Sequence, residues 1–227
     1  MNDPENERST KREAKYLSRP TSLDRNALED AHATYGETIA SFAESFLGTG
    51  TYCARGECWD LANEAIKYFN EYNYIPKPVP SISRTHGHLI YEGRASNLGR
   101  QTIGRWRGGD DRIRRGDIIE WRRVTIAVAN YTYMLGDPDH TAVIVCDAVP
   151  LVEVRDGLGV VPSQLGTIAV VEQSAGALPK RTEYSLDGMQ EGEVWIYRPI
   201  SMEVYLGIKD LTPAPPDGIS HTHTISS

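Results

Sequence analysis

The chain has 227 residues, of which 40% are hydrophobic and 24% charged, so it is long enough to bury a substantial core. A net charge of −7 argues against binding to nucleic acid through phosphate contacts. No apolar run approaches the ~20 residues of a membrane span, and the polar N-terminus lacks the apolar centre of a signal peptide. Three cysteines do not make a secreted disulfide framework, so we expect a cytoplasmic protein with free thiols.

The composition changes near both ends of the chain. Residues 1–21 are charged and contain few large apolar side chains, which predicts a disordered segment. Residues 209–227 form a tail rich in proline, serine and threonine that we also expect to be unfolded. One folded domain is therefore predicted over residues 22–208.

Two amphipathic helices are predicted first in chain order. Apolar residues recur at steps of three and four from Leu28 to Phe46, with Asp24 available as a cap and Gly48 as a stop. A second helix begins at Cys58 and carries its apolar face to Phe69.

Strands follow the helices. Short β-branched, aromatic or apolar runs between turn residues predict six of them, and the resulting architecture is α+β, with N-terminal helices packed on one side of an antiparallel sheet. The predicted strands are His88–Tyr91, Asp117–Arg122, Val124–Val128, Thr141–Cys146, Thr167–Glu172 and Val194–Tyr197.

Cys58 is the first candidate for chemistry. It stands at the predicted start of a helix, where unpaired N–H groups and the helix dipole favour the reactive thiolate. The backbone N–H of the same residue could hold an oxyanion. The alternative is that Cys58 is a small buried hydrophobic residue, as most free cysteines are.

A nucleophilic cysteine needs a base, and His140 is the favoured one. It follows the turn-rich stretch Gly136–Asp139 and leads directly into an apolar strand, which would hold its ring firmly. His86 and His88 also precede a strand and remain competitors.

A third group should orient the imidazole, and it is expected at the end of the strand Thr167–Glu172. Glu172 and Gln173 point to opposite faces of that strand, and Ser174 shares the face of Glu172. The residues alone leave open which of the three meets the histidine.

Together these segments resemble the papain-like cysteine proteinase superfamily, especially the NlpC/P60 and CHAP amidase domains. The resemblance implies Cys58 as nucleophile, His140 as base and Glu172 as the orienting acid. It also implies substrate contacts near the site, for which the candidates are Tyr52, Trp59, His88, Gln173 and Ser174.

Two positions depart from that pattern. Ser174 stands where CHAP domains carry asparagine, and Tyr52 stands where papain-like enzymes often place an oxyanion-hole glutamine. A segment at Val149–Gly166 is inserted before the strand of Glu172, and we expect it to form an extra hairpin.

A narrower resemblance covers roughly residues 25 to 200. The strings GECWDLANEAI, THGHLIYEGR, WRGGDD, GDIIEWR and LGDPDHTAVIV are similar to the C-terminal cysteine-proteinase-fold domain of fungal myosin-tail-interacting, actin-patch proteins. That resemblance implies a eukaryotic cytoplasmic module with possible cytoskeletal partners.

Three function classes compete. The first is a cysteine hydrolase without a cofactor that acts on an unknown peptide, amide or protein. The second is a binding module that keeps the fold without turnover. A bacterial-type cell-wall hydrolase is disfavoured because no export signal is visible.

Several residues also have structural interpretations. Cys53 and Cys58 could pair in a disulfide, or join His86 and His88 as zinc ligands, although that spacing is loose for zinc. His86 and His88 are otherwise expected to form a hydrogen-bonded pair. Trp59 is more typical of packing, whereas Trp106 in a glycine-rich loop could line a cleft. The basic cluster is expected to be a solvated loop; its members are Arg105, Arg107, Arg112, Arg114 and Arg115.

Overall fold

A computed structural model describes residues 22–96, 101–128 and 131–207, apart from the side chain of Val128. The predictions of disorder for 1–21 and 209–227 lie outside these residues. The helices are α1 (Arg25–Glu44), α2 (Cys58–Lys67) and α3 (Met202–Leu206), with 3₁₀ turns at Tyr68–Glu71 and Pro162–Gln164. The strands are β1 (His88–Ser96), β2 (Gln101–Trp106), β3 (Ile118–Val128), β4 (Tyr131–Ile144), β5 (Thr167–Ser174), β6 (Ala177–Ser185) and β7 (Met189–Arg198).

The predicted α+β architecture is confirmed. The strands form one antiparallel sheet in the order β2-β1-β7-β3-β4-β5-β6. Helix α1 begins where predicted, because Asp24 Oδ1 accepts the Ala27 N–H at 2.9 Å and so caps the first turn.

Two apolar clusters cover the two faces of the sheet. On one face α1 and α2 pack over alternate strand residues such as Ile118, Val143 and Val171. The intervening residues, such as Ile119 and Ala142, point to the opposite face and belong to the second cluster. The sheet is therefore buried on both sides.

The Val149–Gly166 segment packs on the second face of the sheet. The prediction that it forms a hairpin is wrong. The segment contains a 3₁₀ turn and one isolated bridge, between Gly159 and Arg105, but no strand. Its Val160 and Leu165 side chains are fully buried in the second cluster. The segment covers the face of the sheet that the helices leave open.

Strand β4 is longer than its predicted part because the turn-like residues before His140 form a bulge. Pairing with β3 shifts register between Arg122 and Val124, whose partners are Asp139 and Leu135. Positive φ angles at Arg123 (47°) and Gly136 (82°) accommodate the extra residues. His140 thus lies well inside β4 rather than at the start of a strand.

Part of the basic cluster is not a solvated loop, because Arg114 and Arg115 are half-buried and paired with acids distant in sequence. Arg115 binds both Glu37 and Glu44 on α1, and Arg114 binds Asp110 and Glu29. Arg105 lies within β2. These ion pairs fasten the loop before β3 to α1.

Trp106 does not line a cleft. Its side chain is fully buried in the second cluster, and its Nε1–H donates to the Asp110 carbonyl at 2.8 Å. The described helices are all too short or too polar to serve as a bilayer span.

Candidate active site

Cys58 is the first residue of α2, as predicted. The N–H groups of a helix's first turn lack intrahelical partners, so this end favours negative charge. Asp60 braces the turn before the helix, since its Oδ2 accepts the N–H of Glu57 at 3.1 Å and of Arg55 at 2.9 Å. The thiol is therefore presented by a fixed turn.

His140 lies between a carboxylate and the thiol. Its Nε2 is 2.7 Å from Glu172 Oε2, and the neighbouring Cys58 thiol contributes to raising the pKa of the imidazole. Because Nε2 is occupied by Glu172, Nδ1 is the nitrogen left for sulfur. The Trp121 ring stacks on the imidazole at 5.7 Å between centroids and 20° between planes, which restrains the ring further.

The sheet opens at this point. Strands β4 and β5 pair at Val143 with Val171 and at Ile144 with Val170, and the Val145 N–H then donates to the Ala169 carbonyl at 2.9 Å. In the other direction, toward His140, no further pairing of the two strands follows, and His140 and Glu172 lie at this opening. Cys58, on the helix that packs over β4 and β5, meets the imidazole there.

Glu172 is held by two hydroxyl groups from β6. Thr182 Oγ1 and Tyr184 Oη each donate to Glu172 Oε1 at 2.8 Å, which leaves Oε2 for the histidine. The Lys180 ammonium lies 3.5 Å from the same Oε1 atom. The carboxylate is therefore fixed in both orientation and charge.

The pKa values of all three groups favour a charged site. Burial raises the pKa of Glu172, but the hydrogen bonds from His140, Tyr184 and Thr182 prevail and lower it to about 2. Burial lowers the pKa of His140, yet its bonds to Cys58 and Glu172 raise it to about 9. Burial opposes ionisation of Cys58, but the His140 bond and the Thr141 backbone N–H bring its pKa below the ordinary value. The shifts of Cys58 and His140 both favour the thiolate and imidazolium forms over the neutral ones.

Of the predicted substrate contacts, Tyr52 and Trp59 lie close to Cys58. Tyr52 is 39% exposed, and its ring covers Gly56, where a Cβ would lie 3.0 Å from Tyr52 Cδ1. Trp59 follows Cys58 in α2 and is half-buried; its Nε1–H is buried and has no partner among the described residues.

Ser174 lines a cavity of about 230 Å³ next to the imidazole. One wall comes from the β3–β4 hairpin and the other from the β5–β6 hairpin. The cavity residues include Met134, Gly136, His140, Glu172, Ser174 and Tyr184.

Gln173 faces the helix layer and holds the loop before Cys58. Its Oε1 accepts the Cys53 N–H at 2.9 Å, and its Nε2 donates to the carbonyls of Cys53 and Glu57, each at 2.9 Å. The side chain is 1% exposed with the amide fully occupied, so it supports the loop instead of facing a ligand.

His88 lies in a different part of the sheet. It is on β1, three strand positions from the β4 strand of His140, or roughly 14 Å at the usual strand spacing. It borders a separate cavity of about 250 Å³, and burial lowers its pKa to about 4. The structure does not bring it to the cysteine site.

His86 and His88 do not form the predicted hydrogen-bonded pair. His86 binds Ser81 and Glu120, whereas His88 Nε2 has no partner among the described residues. Cys53 and Cys58 are both free thiols, so the alternative disulfide is absent from the structure.

The sequence reasoning missed the polar residues behind the site. Thr182 and Tyr184 received no role because strand β6, which carries them, was not predicted. The alternation of polar and apolar residues in that segment could have indicated the strand. Glu120 was placed on a strand but given no role, since its partners His86 and Thr141 are distant in sequence.

Replacing Gln173 by alanine should destabilise the domain by about 2–4 kcal/mol, because two buried hydrogen bonds to Cys53 and a partly buried one to Glu57 are lost, and the Cys53 backbone groups remain buried. Guanidinium unfolding measures this cost. Ser174→Ala, which changes the neighbouring half-buried residue, is the matched control and should cost much less. Equal costs for the two variants would contradict the bracing role of Gln173.

A cysteine at a helix start that meets a strand histidine on an antiparallel sheet defines the class of cysteine-proteinase-like folds. The comparison with known families agrees. Residues 12–210 match the model of the AIM3/BBC1 cysteine proteinase-fold domain, and the chain belongs to this family.

A curated relative extends the comparison. The chain is 27% identical over 177 residues to Altered inheritance of mitochondria protein 3 of Debaryomyces hansenii. The match covers 73% of this chain but 16% of that protein. No solved structure matches the chain.

Proposed function

We propose that the domain is a cysteine hydrolase that transfers an acyl group to water. The observation that supports this most is the continuous chain from the Cys58 thiol through the His140 imidazole to the Glu172 carboxylate. A nucleophile, a base and an orienting group in hydrogen-bond contact are what covalent acyl transfer requires.

The chemistry would proceed in two stages. The Cys58 thiolate attacks the carbonyl carbon of an amide or thioester and forms a carbon–sulfur bond. The His140 imidazolium then gives its proton to the leaving nitrogen or sulfur as its bond to carbon breaks. In the second stage His140 takes a proton from water, which attacks the thioester and releases the acid and the thiol.

The oxyanion would be stabilised at the start of α2. The Cys58 N–H has no intrahelical partner because of its position. The Tyr52 hydroxyl is the candidate for a second donor, given how its ring covers Gly56. The substrate would be a peptide, an amide or a protein segment that enters the cavity beside His140.

The reducing cytoplasm is the compartment we propose. Cys53, Cys58 and Cys146 are all free thiols, and an active site that depends on a thiolate is lost on oxidation.

The test is the pH dependence of Cys58 alkylation by iodoacetamide, followed on the Cys58 peptide by mass spectrometry. We expect a midpoint well below the ordinary cysteine value of about 8.5. Cys53 serves as an internal reference, because burial raises its pKa to about 11. In His140→Ala the Cys58 midpoint should rise, since the imidazolium that stabilises the thiolate is gone.

A midpoint near that of free cysteine, unchanged in His140→Ala, would reject the hydrolase. It would favour the second candidate, a binding module with cytoskeletal partners. That candidate is supported by the short share of the relative that the chain covers, 16%, which fits one module of a larger protein. Direct binding of a purified myosin tail, retained in Cys58→Ser, would test it.

A further inference from the structure

The outer half of β4 has a free backbone edge. One edge of β4 pairs with β3 on both sides of the bulge. On its other edge, within the described residues, β4 has β5 as its neighbour, and the two pair at Val143 and Ile144 without continuing toward His140. The backbone of residues 131–139 therefore lacks a neighbouring strand on the side of β5.

The register shows which backbone groups lie along this free edge. Ala127 is opposite Thr132, yet its N–H donates to the Gly188 carbonyl at 2.9 Å, away from β4. The two residues are therefore a non-hydrogen-bonded pair, in which the N–H and C=O groups of both point outward. Because these directions repeat at every second residue, the groups of Met134 also point to the free edge. In the part of the chain that the structure describes, these groups of Thr132 and Met134 have no backbone partner.

The free edge borders the cavity beside His140. Met134 lines this cavity from β4, and Lys180 and Tyr184 line it from β6. The centroid of the Tyr184 ring lies 6.1 Å from that of the Tyr133 ring, so aromatic side chains connect the two hairpins on the side of the second cluster. A chain placed along the edge of β4 would occupy the space between the hairpins and lead to the imidazole.

The charge of the cavity favours an acidic occupant. The charged groups among its described lining residues are His140, Glu172 and Lys180. An imidazolium at His140 and the Glu172 carboxylate cancel, which leaves the ammonium of Lys180. This ammonium is 3.5 Å from Glu172 Oε1, an oxygen that already accepts two hydroxyl groups at 2.8 Å, and the Lys180 side chain is 61% exposed. Lys180 therefore has donors left for a carboxylate of a ligand.

We propose that the free edge of β4 binds an extended, acidic peptide segment by adding it to the sheet as a further strand. Thr132 and Met134 supply the backbone partners, and Lys180 binds an acidic side chain of the peptide. The proposal rests on the hydrolase function above, because a peptide bound along this edge leads to His140 and is the substrate. It narrows the substrate from any amide or thioester to a polypeptide in extended form.

The test measures binding of a fluorescein-labelled peptide by fluorescence anisotropy. The peptide has about eight residues in which glutamate and valine alternate, so that all its acids share one face of a strand. The parent for all variants is the full chain with Cys58→Ser, which cannot consume the probe. We expect the parent to bind this peptide, and to bind a peptide of alternating lysine and valine more weakly.

Lys180→Met tests the acidic character of the ligand. It should weaken binding of the acidic probe about threefold, the effect of one exposed ion pair. Lys67→Met is the matched control, because it removes an exposed lysine from α2, and it should bind as the parent does. An affinity that Lys180→Met leaves unchanged would reject an acidic ligand.

Met134→Pro tests the addition of a strand. It removes one N–H from the free edge and should weaken binding about fivefold, the effect of one hydrogen bond. Glu183→Pro is the matched control on the outer edge of β6. The Ala169 carbonyl accepts the Val145 N–H on the β4 side, so the N–H of Glu183, which is opposite Ala169, points to that outer edge. This control should not weaken binding.

Equal affinities in Met134→Pro and Glu183→Pro would overturn the proposal, as would a parent chain that does not bind the acidic probe. If Met134→Pro does not fold, a probe methylated on its backbone nitrogens decides, since an affinity equal to that of the unmethylated probe rejects strand addition. In each of these cases a low midpoint of Cys58 alkylation that rises in His140→Ala leaves the hydrolase function standing.

Discussion

Arg198→Met is expected to destabilise the domain by about 3–5 kcal/mol, because it leaves two buried carboxylates without their counter-charge. Arg198 is 1% exposed and binds Asp117 through two parallel bonds of 2.9 Å, from Nε and Nη2. Its Nη1 also pairs with Asp110. Burial would raise the pKa of Asp110, but the hydrogen bonds from Arg114 and Arg198 lower it to about 2.

The position of this arginine explains the size of the effect. From the end of β7 it also donates to the carbonyls of Leu28 on α1 and Arg112 in the loop, each at 3.3 Å. One side chain thus joins the sheet, the first helix and the loop before β3. Its removal releases all three contacts at once.

Thermal unfolding measures the effect, with an expected loss in Tm on the order of 10 °C. Arg198→Lys should recover little of this, because an ammonium cannot reproduce the two-pronged contact with Asp117. Arg25→Met, at an exposed helix position, is the control and should be close to wild type. A Tm for Arg198→Met near that of the control would show that the buried acids are stabilised by other groups.

Glu172→Gln is expected to change how stability depends on pH. The folded pKa of Glu172 is lowered to about 2, so its contribution is complete above the unfolded pKa of about 4.3 and lost as the pH falls toward 2. The folded pKa of His140 is raised to about 9, so its contribution is complete below about 6.5 and lost as the pH rises through 9. The pair therefore stabilises most between about pH 4.3 and 6.5.

In that pH window the free energy of unfolding of the variant should be lower than that of the wild type by about 3 kcal/mol. This figure is the shift of the Glu172 pKa converted at about 1.4 kcal/mol per pH unit. The loss should shrink at pH 2.5, where the Glu172 carboxyl of the unfolded chain is protonated and folding must ionise it, and at pH 9.5, where the His140 imidazole of the folded wild type is mostly neutral. Guanidinium unfolding at these three values measures it. Glu64→Gln, which removes a surface partner of Lys67, should show no such window. A loss that is equal at all three pH values would contradict the ion pair.

The same variant links stability to the proposed chemistry. Glu172→Gln removes the negative charge that favours the imidazolium form of His140. The pH midpoint of Cys58 alkylation should therefore rise as the stability falls. A fall in stability without that rise would mean that Glu172 holds the strands without influencing the thiol.

Periodicity and turn residues were enough to predict α1, α2 and the central strands, but not α3. The cap at Asp24 and the start of α2 at Cys58 are local features, and local features are what a sequence displays most directly. The apolar strand after His140 favoured that histidine over its competitors, whereas only the resemblance to cysteine proteinases pointed to Glu172 rather than Gln173 or Ser174.

Two strands, β2 and β6, were not predicted, and the local sequence conceals each of them in a different way. Strand β6 runs ALPKRTEYS, in which proline and charged residues conceal an alternation that buries Tyr184. Strand β2 runs QTIGRW, and its glycine reads as a turn although it packs closely against Tyr91 and Val160. In both cases tertiary contacts outweigh the local preference.

The ion pairs could not be predicted at all. Arg114 and Arg115 find partners on α1, some 70 to 85 positions away, and Arg198 binds Asp110 and Asp117 from a distance of more than 80. From the sequence alone a run of arginines is expected to be exposed to solvent, because the acidic partners are brought near only by the folded chain. The same applies to Glu120 and His86, whose roles depend on pairing between distant segments.

The bulge opposite Arg123 has a consequence for how the domain tolerates changes in length. His140 and Thr141 point to opposite sides of β4, so a slip of one residue there would exchange the two and dismantle the site. The bulge separates this stretch from the outer half of the β3–β4 hairpin, which pairs in a register of its own. Insertions or deletions nearer the hairpin tip than Met134 should therefore leave both the register of His140 and the cavity wall in place.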